Sequence, residues 1–199
     1  MVKTVGDLLE DIKYGTSAKA NNTGDGYLIL RMNNITTEGT LSLSDLKHIK
    51  LNDEEYKKYS LSKGDILINR TNSKELVGKC ALFNEDGKYV FASYLIRMRV
   101  KKELILPEYL VLYLALGPSR QEITKRIRGV TNQWNINSTE IKSIPIRVPS
   151  IEDQEIILSN YYGLVKNEII NNERKKLQSW VETLPHSVLT KAFRGELIV

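Results

Sequence analysis

The sequence predicts an α+β fold: a mixed domain with a β-sheet and short helices, then one long, coiled-coil-like helix and a short C-terminal segment. Short apolar stretches alternate with turn residues through the first 149 residues, a pattern typical of strands. From Ser150 onward apolar residues recur at intervals of three and four, which is the spacing of one helix face. This change of period predicts two domains, residues 1–149 and residues 150–199.

Within the first domain, strands are predicted where branched and aromatic residues run together. These stretches are residues 27–32, 65–68, 79–83 and 89–100. Short helices are predicted around residues 5–12, around residues 53–59, from Pro107 to Leu116 and over residues 119–128. Proline suits the first turn of a helix, and Gly-Pro or Gly ends one.

The second domain is predicted to be a single helix of about 30 residues, roughly 45 Å long. It runs from Ser150, which suits an N-cap, to Leu184, and Gly163 is its only glycine. Its apolar residues include Leu158, Tyr162, Val165, Ile169, Ile170, Leu177, Trp180, Val181 and Leu184. One small domain cannot cover a stripe of that length, so we expect the helix to pair with a partner. Ordinary helix periodicity, without a coiled coil, is the alternative.

Several classes of protein are excluded or disfavoured by what the sequence lacks. It has no apolar run of transmembrane length and no signal-peptide core at its start, so a cytoplasmic protein without a membrane partner is expected. The single cysteine, Cys80, excludes a disulfide framework, and His48 and His186 have no metal-ligand spacing. Phosphate-loop, metalloprotease, serine-hydrolase and dinucleotide motifs are missing as well. The sequence therefore favours a protein that is not an enzyme and holds no metal.

The net charge of +5 is unevenly distributed along the chain. Residues 1–150 carry 23 Lys and Arg against 17 Asp and Glu, a net of +6, whereas residues 151–199 carry 6 against 7, a net of −1. The basic character belongs to the first domain, which favours a polyanionic partner there.

Three polar segments in this basic domain suit direct contact with DNA. The first polar segment is Asn69–Lys74, which follows a predicted buried strand; the second is Gly129–Asn137; the third is Arg31–Asn34. Amides bond adenine and basic side chains bond guanine in a bidentate way, while hydroxyls adapt to bases or phosphates. The candidate DNA contacts are Arg31, Asn33, Asn34, Asn69, Arg70, Thr71, Asn72, Ser73, Lys74, Thr131, Asn132 and Gln133. Ordinary Asx turns and helix caps are the alternative explanation.

Two stretches resemble type I restriction–modification specificity subunits. IKSIPIRVPSIEDQEII, residues 141–157, resembles the junction between their target-recognition domain and conserved helix, and LPHSVLTKAFRGEL, residues 184–197, resembles their C-terminal segment. GDILINRTNS from residue 64 and GVTNQ from residue 129 lie where those subunits have similar strings. Family members usually hold two recognition domains and two conserved helices, but each motif occurs once here. We therefore expect a half-length form, natural because both ends look complete, rather than a piece of a longer gene.

The resemblance implies a non-catalytic protein that binds double-stranded DNA and docks DNA adenine-methyltransferase subunits. The chain itself would bind no cofactor, since S-adenosylmethionine is used by the methyltransferase. A motor–nuclease subunit is an optional further partner. The conserved helices of such subunits pair antiparallel and contact the methyltransferase, so one helix per chain implies a homodimer on a bipartite, palindromic target. The expected dimer or partner interface is Leu158, Tyr162, Val165, Ile169, Leu177, Trp180, Leu184 and Phe193.

Two other functions stay open on the sequence. The chain could be a stand-alone DNA-binding or inhibitory module of another methyltransferase system. It could also be a structural assembly protein whose long helix builds a complex while its polar loops are ordinary turns. Sequence-specific DNA binding separates the second of these from the others.

Overall fold

The computed structural model describes residues 2–37, 39–115, 117–130 and 133–183, with side chains except at positions 117–118 and 180–183. The chain divides into two compact units, Met1–Glu155 and Ile156–Val199. The boundary between the units lies inside the long helix, a few residues beyond the change in sequence period. Which unit reads DNA and which docks partners stays a prediction.

The regular elements confirm the α+β class. The strands are β1 Val2–Thr4, β2 Leu9–Tyr14, β3 Tyr27–Leu30, β4 Lys47–Ile49, β5 Asp65–Asn69, β6 Thr71–Asn72, β7 Cys80–Phe83, β8 Tyr89–Phe91, β9 Leu95–Val100, β10 Arg128–Val130, β11 Gln133–Asn135 and β12 Pro145–Arg147. The helices are α1 Asp53–Tyr59, α2 Pro107–Ala115, α3 Gly117–Arg126, α4 Ser138–Lys142 and α5 Ile151–Thr183, with short 3-10 helices at Val5–Leu8 and Met32–Asn34.

A four-stranded antiparallel sheet in the order β2-β9-β5-β7 forms the centre of unit 1. All five residues of β5 are buried, as are five of the six in β9. Around this sheet, β3 pairs antiparallel with β4 and parallel with β8, while β1 pairs with β12. A small sheet in the order β10-β11-β6 completes the pairings. The central sheet therefore contributes much of the buried core of unit 1.

Most of the predicted elements are found, and one is wrong. Helices α1 and α2 and strands β3, β5 and β7 lie where the sequence places them, and the predicted strand over residues 89–100 is divided into β8 and β9 by a turn. The helix expected around residues 5–12 is instead the 3-10 helix followed by β2. Its apolar spacing fits a helix, but pairing along β9 fixes an extended backbone there. Long-range pairing overrides local propensity at this position.

Buried charges connect the strands of the central sheet. The Arg97 side chain in β9 is 1% exposed; its Nη1 donates to the Ser60 carbonyl at 2.8 Å and its Nη2 to the Asp11 carboxylate of β2. Asp65 of β5, also buried, accepts from Arg99 Nε at 2.7 Å and Nη2 at 3.1 Å. The bond to Asp65 raises the pKa of Arg99 above its usual value. Acids on β2 and β5 thus flank the arginines of β9, so the sheet's register is fixed by charge as well as by apolar packing.

The long helix α5 spans 33 residues, about 50 Å at 1.5 Å per residue. Ser150 caps it as expected, because its Oγ accepts from the Asp153 amide at 3.1 Å. Gln154 is completely buried within unit 1; its side chain accepts from the Leu106 amide and donates to the Leu104 and Pro149 carbonyls. The first turn of α5 belongs to unit 1, and three hydrogen bonds of the Gln154 side chain hold it in place there. No helix in the described residues is long and apolar enough to span a bilayer.

We predict that Arg97→Met lowers the free energy of unfolding by about 3 kcal/mol or more, because it leaves buried acceptors without their cation while filling most of the volume. Urea denaturation would measure this. The matched control is Lys63→Met, since Lys63 forms an ion pair with Asp86 in which both side chains are largely exposed; its loss should change stability by less than about 1 kcal/mol. Equal effects of the two substitutions would contradict the structural role of Arg97.

Candidate nucleic-acid interface

The structure joins the first and second polar segments in one sheet. Strand β6 belongs to the first segment and β11 to the second, and they pair antiparallel with Asn72 opposite Trp134 and Thr71 opposite Asn135. The Ile136 amide also donates to the Arg70 carbonyl at 2.9 Å. We call the three strands β10, β11 and β6 the polar sheet. Residues that are 64 positions apart in the chain thereby meet in one sheet.

Gly129 allows the two strands of the β10–β11 hairpin to approach closely. A Cβ at this position would lie 2.2 Å from the Gln133 carbonyl oxygen and 2.7 Å from the Trp134 Cα. Both distances are far below ordinary van der Waals contact. Gly129 is therefore needed for space in a paired strand.

Two residues of β6 differ in what they offer to a ligand. Thr71 is buried, and its Oγ1 donates to the Asn135 Oδ1 at 2.6 Å, so it links β6 to β11. Asn72 is half-buried, and its Oδ1 accepts from the Ser73 amide at 2.9 Å. The Asn72 amide nitrogen has no hydrogen bond to another described residue and stays available as a donor.

Both cations of the first polar segment lie over aromatic rings. The Arg70 guanidinium carbon is 4.9 Å from the Tyr14 ring centroid, and Lys74 Nζ is 5.1 Å from the Trp134 ring centroid. Gln133 is exposed in β11, and Lys74 is exposed in the turn that follows β6. Contacts of this kind hold a cation without neutralising it, so the positive charge remains available to a DNA phosphate or a base.

The third polar segment lies next to the first. The Asn69 Nδ2 donates to the Met32 carbonyl at 3.3 Å, and the Arg70 amide donates to the Tyr94 carbonyl at 3.0 Å. Beside them a cavity of about 270 Å³ is lined partly by Arg31, Asn33 and Tyr94. Asn33 and Tyr94 are exposed. Because Tyr94 lines the cavity and bonds to Arg70, which directly precedes β6, we treat the polar sheet and this cavity together as the candidate interface.

Three of the candidate DNA contacts have structural roles instead. Asn34 is buried; its Oδ1 accepts from the Arg31 amide, and its Nδ2 donates to the Ser42 and Asp45 carbonyls. Asn69 is completely buried, and Thr71 is buried as described above. None of these side chains has a surface to present to DNA, so we omit them from the proposal below. Arg31 is half-buried and ion-paired with Asp45 at 2.7 Å, which makes it a weaker candidate. Thr131 and Asn132 lie outside the described residues.

Nothing in the sequence singles out Tyr14 or Tyr94, and Asn135 lay within the second polar segment without being chosen as a DNA contact. Tyr14 ends β2, most of which lies where a helix was expected, and Tyr94 lies in the turn between β8 and β9. Their relevance comes only from pairings and contacts with distant segments. Trp134 lay within the second polar segment, but its place beside Lys74 needed the β6–β11 pairing.

The predicted interface of α5 is largely exposed in unit 2. Tyr162, Ile169 and Leu177 are each more than half exposed, Val165 is half-buried and Leu158 is buried. Ile156 and Leu164 add exposed apolar surface, at 58% and 70%. The side chain of Trp180, and Leu184 and Phe193, lie outside the described residues. Large exposed apolar side chains on a helix are typical of a surface that binds a partner.

Neither a metal site nor a reactive cysteine is found in the part of the chain that the structure describes. No group of His, Cys, Asp and Glu there could hold a metal ion. Burial raises the pKa of the Cys80 thiol to about 12, so it stays protonated and unreactive at neutral pH. The side chains of the candidate interface are suited to binding.

Residues 1–179 match the family model of the type I restriction modification DNA specificity domain. The chain belongs to this family. It is 29% identical over 194 residues to the type I restriction enzyme EcoKI specificity subunit of Escherichia coli K12, covering 96% of this chain and 41% of the relative. It is 32% identical over 212 aligned residues to the putative type I restriction enzyme MjaX specificity subunit of Methanocaldococcus jannaschii, covering 98% of this chain and 49% of that one.

The fold agrees with this type I specificity family. The crystal structure of the HsdS subunit from Thermoanaerobacter tengcongensis superposes with a TM-score of 0.64 at 19% identity, over 99% of this chain and 45% of that chain. The chain thus spans less than half the length of these relatives. Specificity subunits of type I restriction–modification systems are non-catalytic, and this membership is the reason to regard the chain as non-enzymatic.

We predict that Gly129→Ala disrupts the β10–β11 hairpin of this specificity domain, because backbone atoms that cannot move independently occupy the site of the new methyl group. Hydrogen exchange should show loss of amide protection in β10 and β11, with β5 and β9 still protected. The control is Gly163→Ala in α5, where the added Cβ meets nothing within 4 Å and should stabilise the helix slightly. Unchanged protection in Gly129→Ala would contradict the close approach.

Proposed function

We propose that this chain is the DNA-reading component of a type I restriction–modification system. Its polar sheet and the adjoining surface at Asn33 and Tyr94 recognise bases. The bound chain then positions adenine-methyltransferase subunits on the DNA target. The observation that carries this proposal is that three polar segments, separate in the sequence, lie next to one another in a basic domain. The names of the relatives, which are specificity subunits of type I restriction enzymes, support the same role.

The available side chains of this surface match the chemistry of base recognition. Asn33, Asn72 and Gln133 offer amides, Ser73 offers a hydroxyl, and Arg70 and Lys74 offer cations. Bidentate pairs to base edges give discrimination of about 1–3 kcal/mol each. The net charge of +6 over residues 1–150 supplies the sequence-independent attraction to phosphate. The side chains of this surface and the positive charge of the domain therefore both favour double-stranded DNA as the ligand.

We further propose that two copies of the chain pair through α5 in antiparallel orientation. Unit 2 carries large exposed apolar residues along the helix, among them Tyr162, Leu164 and Ile169. A closed two-fold dimer covers such a stripe with its own copy. Two identical reading domains would recognise a palindromic target of two half-sites, separated by base pairs that are not read.

We predict that Arg70→Ala reduces discrimination between cognate and non-cognate duplexes by about 1–3 kcal/mol, since a bidentate contact to a base is lost. Binding is measured by fluorescence anisotropy in the presence of the methyltransferase subunit, on a target found by methylation mapping. The matched control is Arg147→Ala, an exposed arginine on the β1–β12 pair, which should leave discrimination unchanged. Full discrimination by a folded Arg70→Ala variant would refute the role of the first polar segment in reading, and the absence of any sequence preference in the wild type would favour a purely structural protein.

Ile169→Asp should weaken dimerisation and cooperative DNA binding together, because it places an unpaired carboxylate in the proposed apolar interface. Analytical ultracentrifugation and binding to two-half-site duplexes would measure the two effects. Asn167→Asp adds the same charge about 200° around the helix from Ile169, at an exposed position, and should leave both properties intact. A monomeric wild-type chain, or a dimer indifferent to Ile169→Asp, would contradict the pairing proposed for α5.

A further inference from the structure

Arg70 differs from the other arginines of unit 1 that are not exposed. Each of the others bonds to acids or carbonyls: Arg31 to Asp45, Arg97 to Asp11 and the Ser60 carbonyl, Arg99 to Asp65, Arg120 to the Val77 and Glu75 carbonyls, and Arg126 to Glu122. No hydrogen bond or ion pair joins the Arg70 guanidinium to another described residue, and its Nε is buried without a partner. A half-buried cation with free donors lacks the acceptor that such a group ordinarily has.

Tyr14 is the contact that holds this cation. Its ring lies under the guanidinium at 4.9 Å. Its hydroxyl accepts from the Ser138 amide at 2.9 Å and donates to the Ser138 Oγ at 3.2 Å. Tyr14 ends β2 and Ser138 begins α4, directly after the second polar segment. The tyrosine therefore connects the central sheet, the first polar segment and the end of the second.

We propose that Tyr14 is a positioning residue for specificity, which orients Arg70 so that its terminal nitrogens meet the N7 and O6 atoms of a guanine. This inference rests on the proposed function and adds to it a residue and a base. A guanidinium held over an aromatic ring uses none of its N–H donors on that contact, so they stay free. Because Nε is buried, the two terminal nitrogens form the edge that faces an external acceptor. That edge matches the paired acceptors of guanine in the major groove.

Holding the side chain before binding also strengthens discrimination. An arginine that is free to rotate loses its rotamer freedom when it binds, whereas a stacked arginine has lost much of it already. The expected contribution of Tyr14 is about 2- to 10-fold in affinity for the cognate base pair. A phosphate could also accept from the terminal edge, but a phosphate contact would show no preference among bases.

The test compares Tyr14→Leu, Tyr14→Phe, Arg70→Ala and the double variant Tyr14→Leu/Arg70→Ala. Each full-length chain is combined with the methyltransferase subunit and titrated with the cognate duplex and with duplexes substituted at one base pair at a time. We expect Tyr14→Leu to lose about 2- to 10-fold discrimination at the same G·C pair that Arg70→Ala affects, and elsewhere none. The double variant should lose no more than Arg70→Ala alone, since both changes remove one contact.

Tyr14→Phe keeps the ring and removes only the bonds to Ser138, so it should retain most of the discrimination at that pair. The inference is overturned if Tyr14→Leu weakens all duplexes alike, if its effect adds to that of Arg70→Ala, or if Tyr14→Phe loses as much as Arg70→Ala. It is also overturned if Arg70→Ala changes no base preference but makes binding less dependent on salt. A slope of log binding constant against log salt concentration that is smaller by about one indicates that a phosphate contact was lost. Unchanged discrimination in Arg70→Ala counts against the proposed function itself. If Arg70→Ala loses discrimination but Tyr14→Leu keeps all of it, the result counts against this inference alone.

Discussion

The candidate interface depends on the pairing of two very short strands, β6 and β11. Thr71 and Asn72 pair with Asn135 and Trp134, and the Thr71–Asn135 side-chain bond links the same strands. Without this pairing the polar segments would be separate loops. Ordering a free residue costs about 1–2 kcal/mol of backbone entropy. Because folding has already ordered these segments, little of that cost remains for binding DNA.

The central sheet makes this pairing possible. Strand β5 is buried throughout, and only Arg70 separates it from β6. The position of β5 is fixed by β7 and β9 on its two sides and by the Asp65–Arg99 bonds. Backbone hydrogen bonds of Arg70 with Tyr94 and Ile136 then fix the position of the chain where β6 begins. Stability of the core and the position of the reading side chains are therefore coupled through one continuous stretch of backbone.

Elements with strong local signals were predictable from the sequence, and those made by long-range contacts were not. The apolar run of β5, the proline that opens α2 and the unbroken pattern of α5 each carry their own signal. Strands of two or three residues, such as β6 and β11, show no period at all. Their pairing arises from the packing of the whole domain, and the same packing turned the expected helix around residues 5–12 into a 3-10 helix followed by β2.

The candidate site was predictable in composition but not in detail. Amide-rich segments identified the right region, yet composition cannot tell a buried amide from an exposed one. Asn34 and Asn69 are buried and hydrogen-bonded to carbonyls, whereas Asn33, next to Asn34, is exposed. Tyr14 could not be identified from the sequence because its role comes from Arg70 and Ser138, which are more than 50 positions away in the chain. A site built between segments needs the fold before its members can be named.

Photo-crosslinking from the polar sheet would test the central claim most directly. A photoreactive amino acid is placed at position 133, which is exposed in β11, and separately at position 54, which is exposed in α1. Each chain is irradiated with the methyltransferase subunit and the cognate duplex. The account predicts a crosslink to DNA from position 133, suppressed by unlabelled cognate competitor, and none from position 54. A complex that binds the cognate duplex and crosslinks from position 54 but not from position 133 would contradict it.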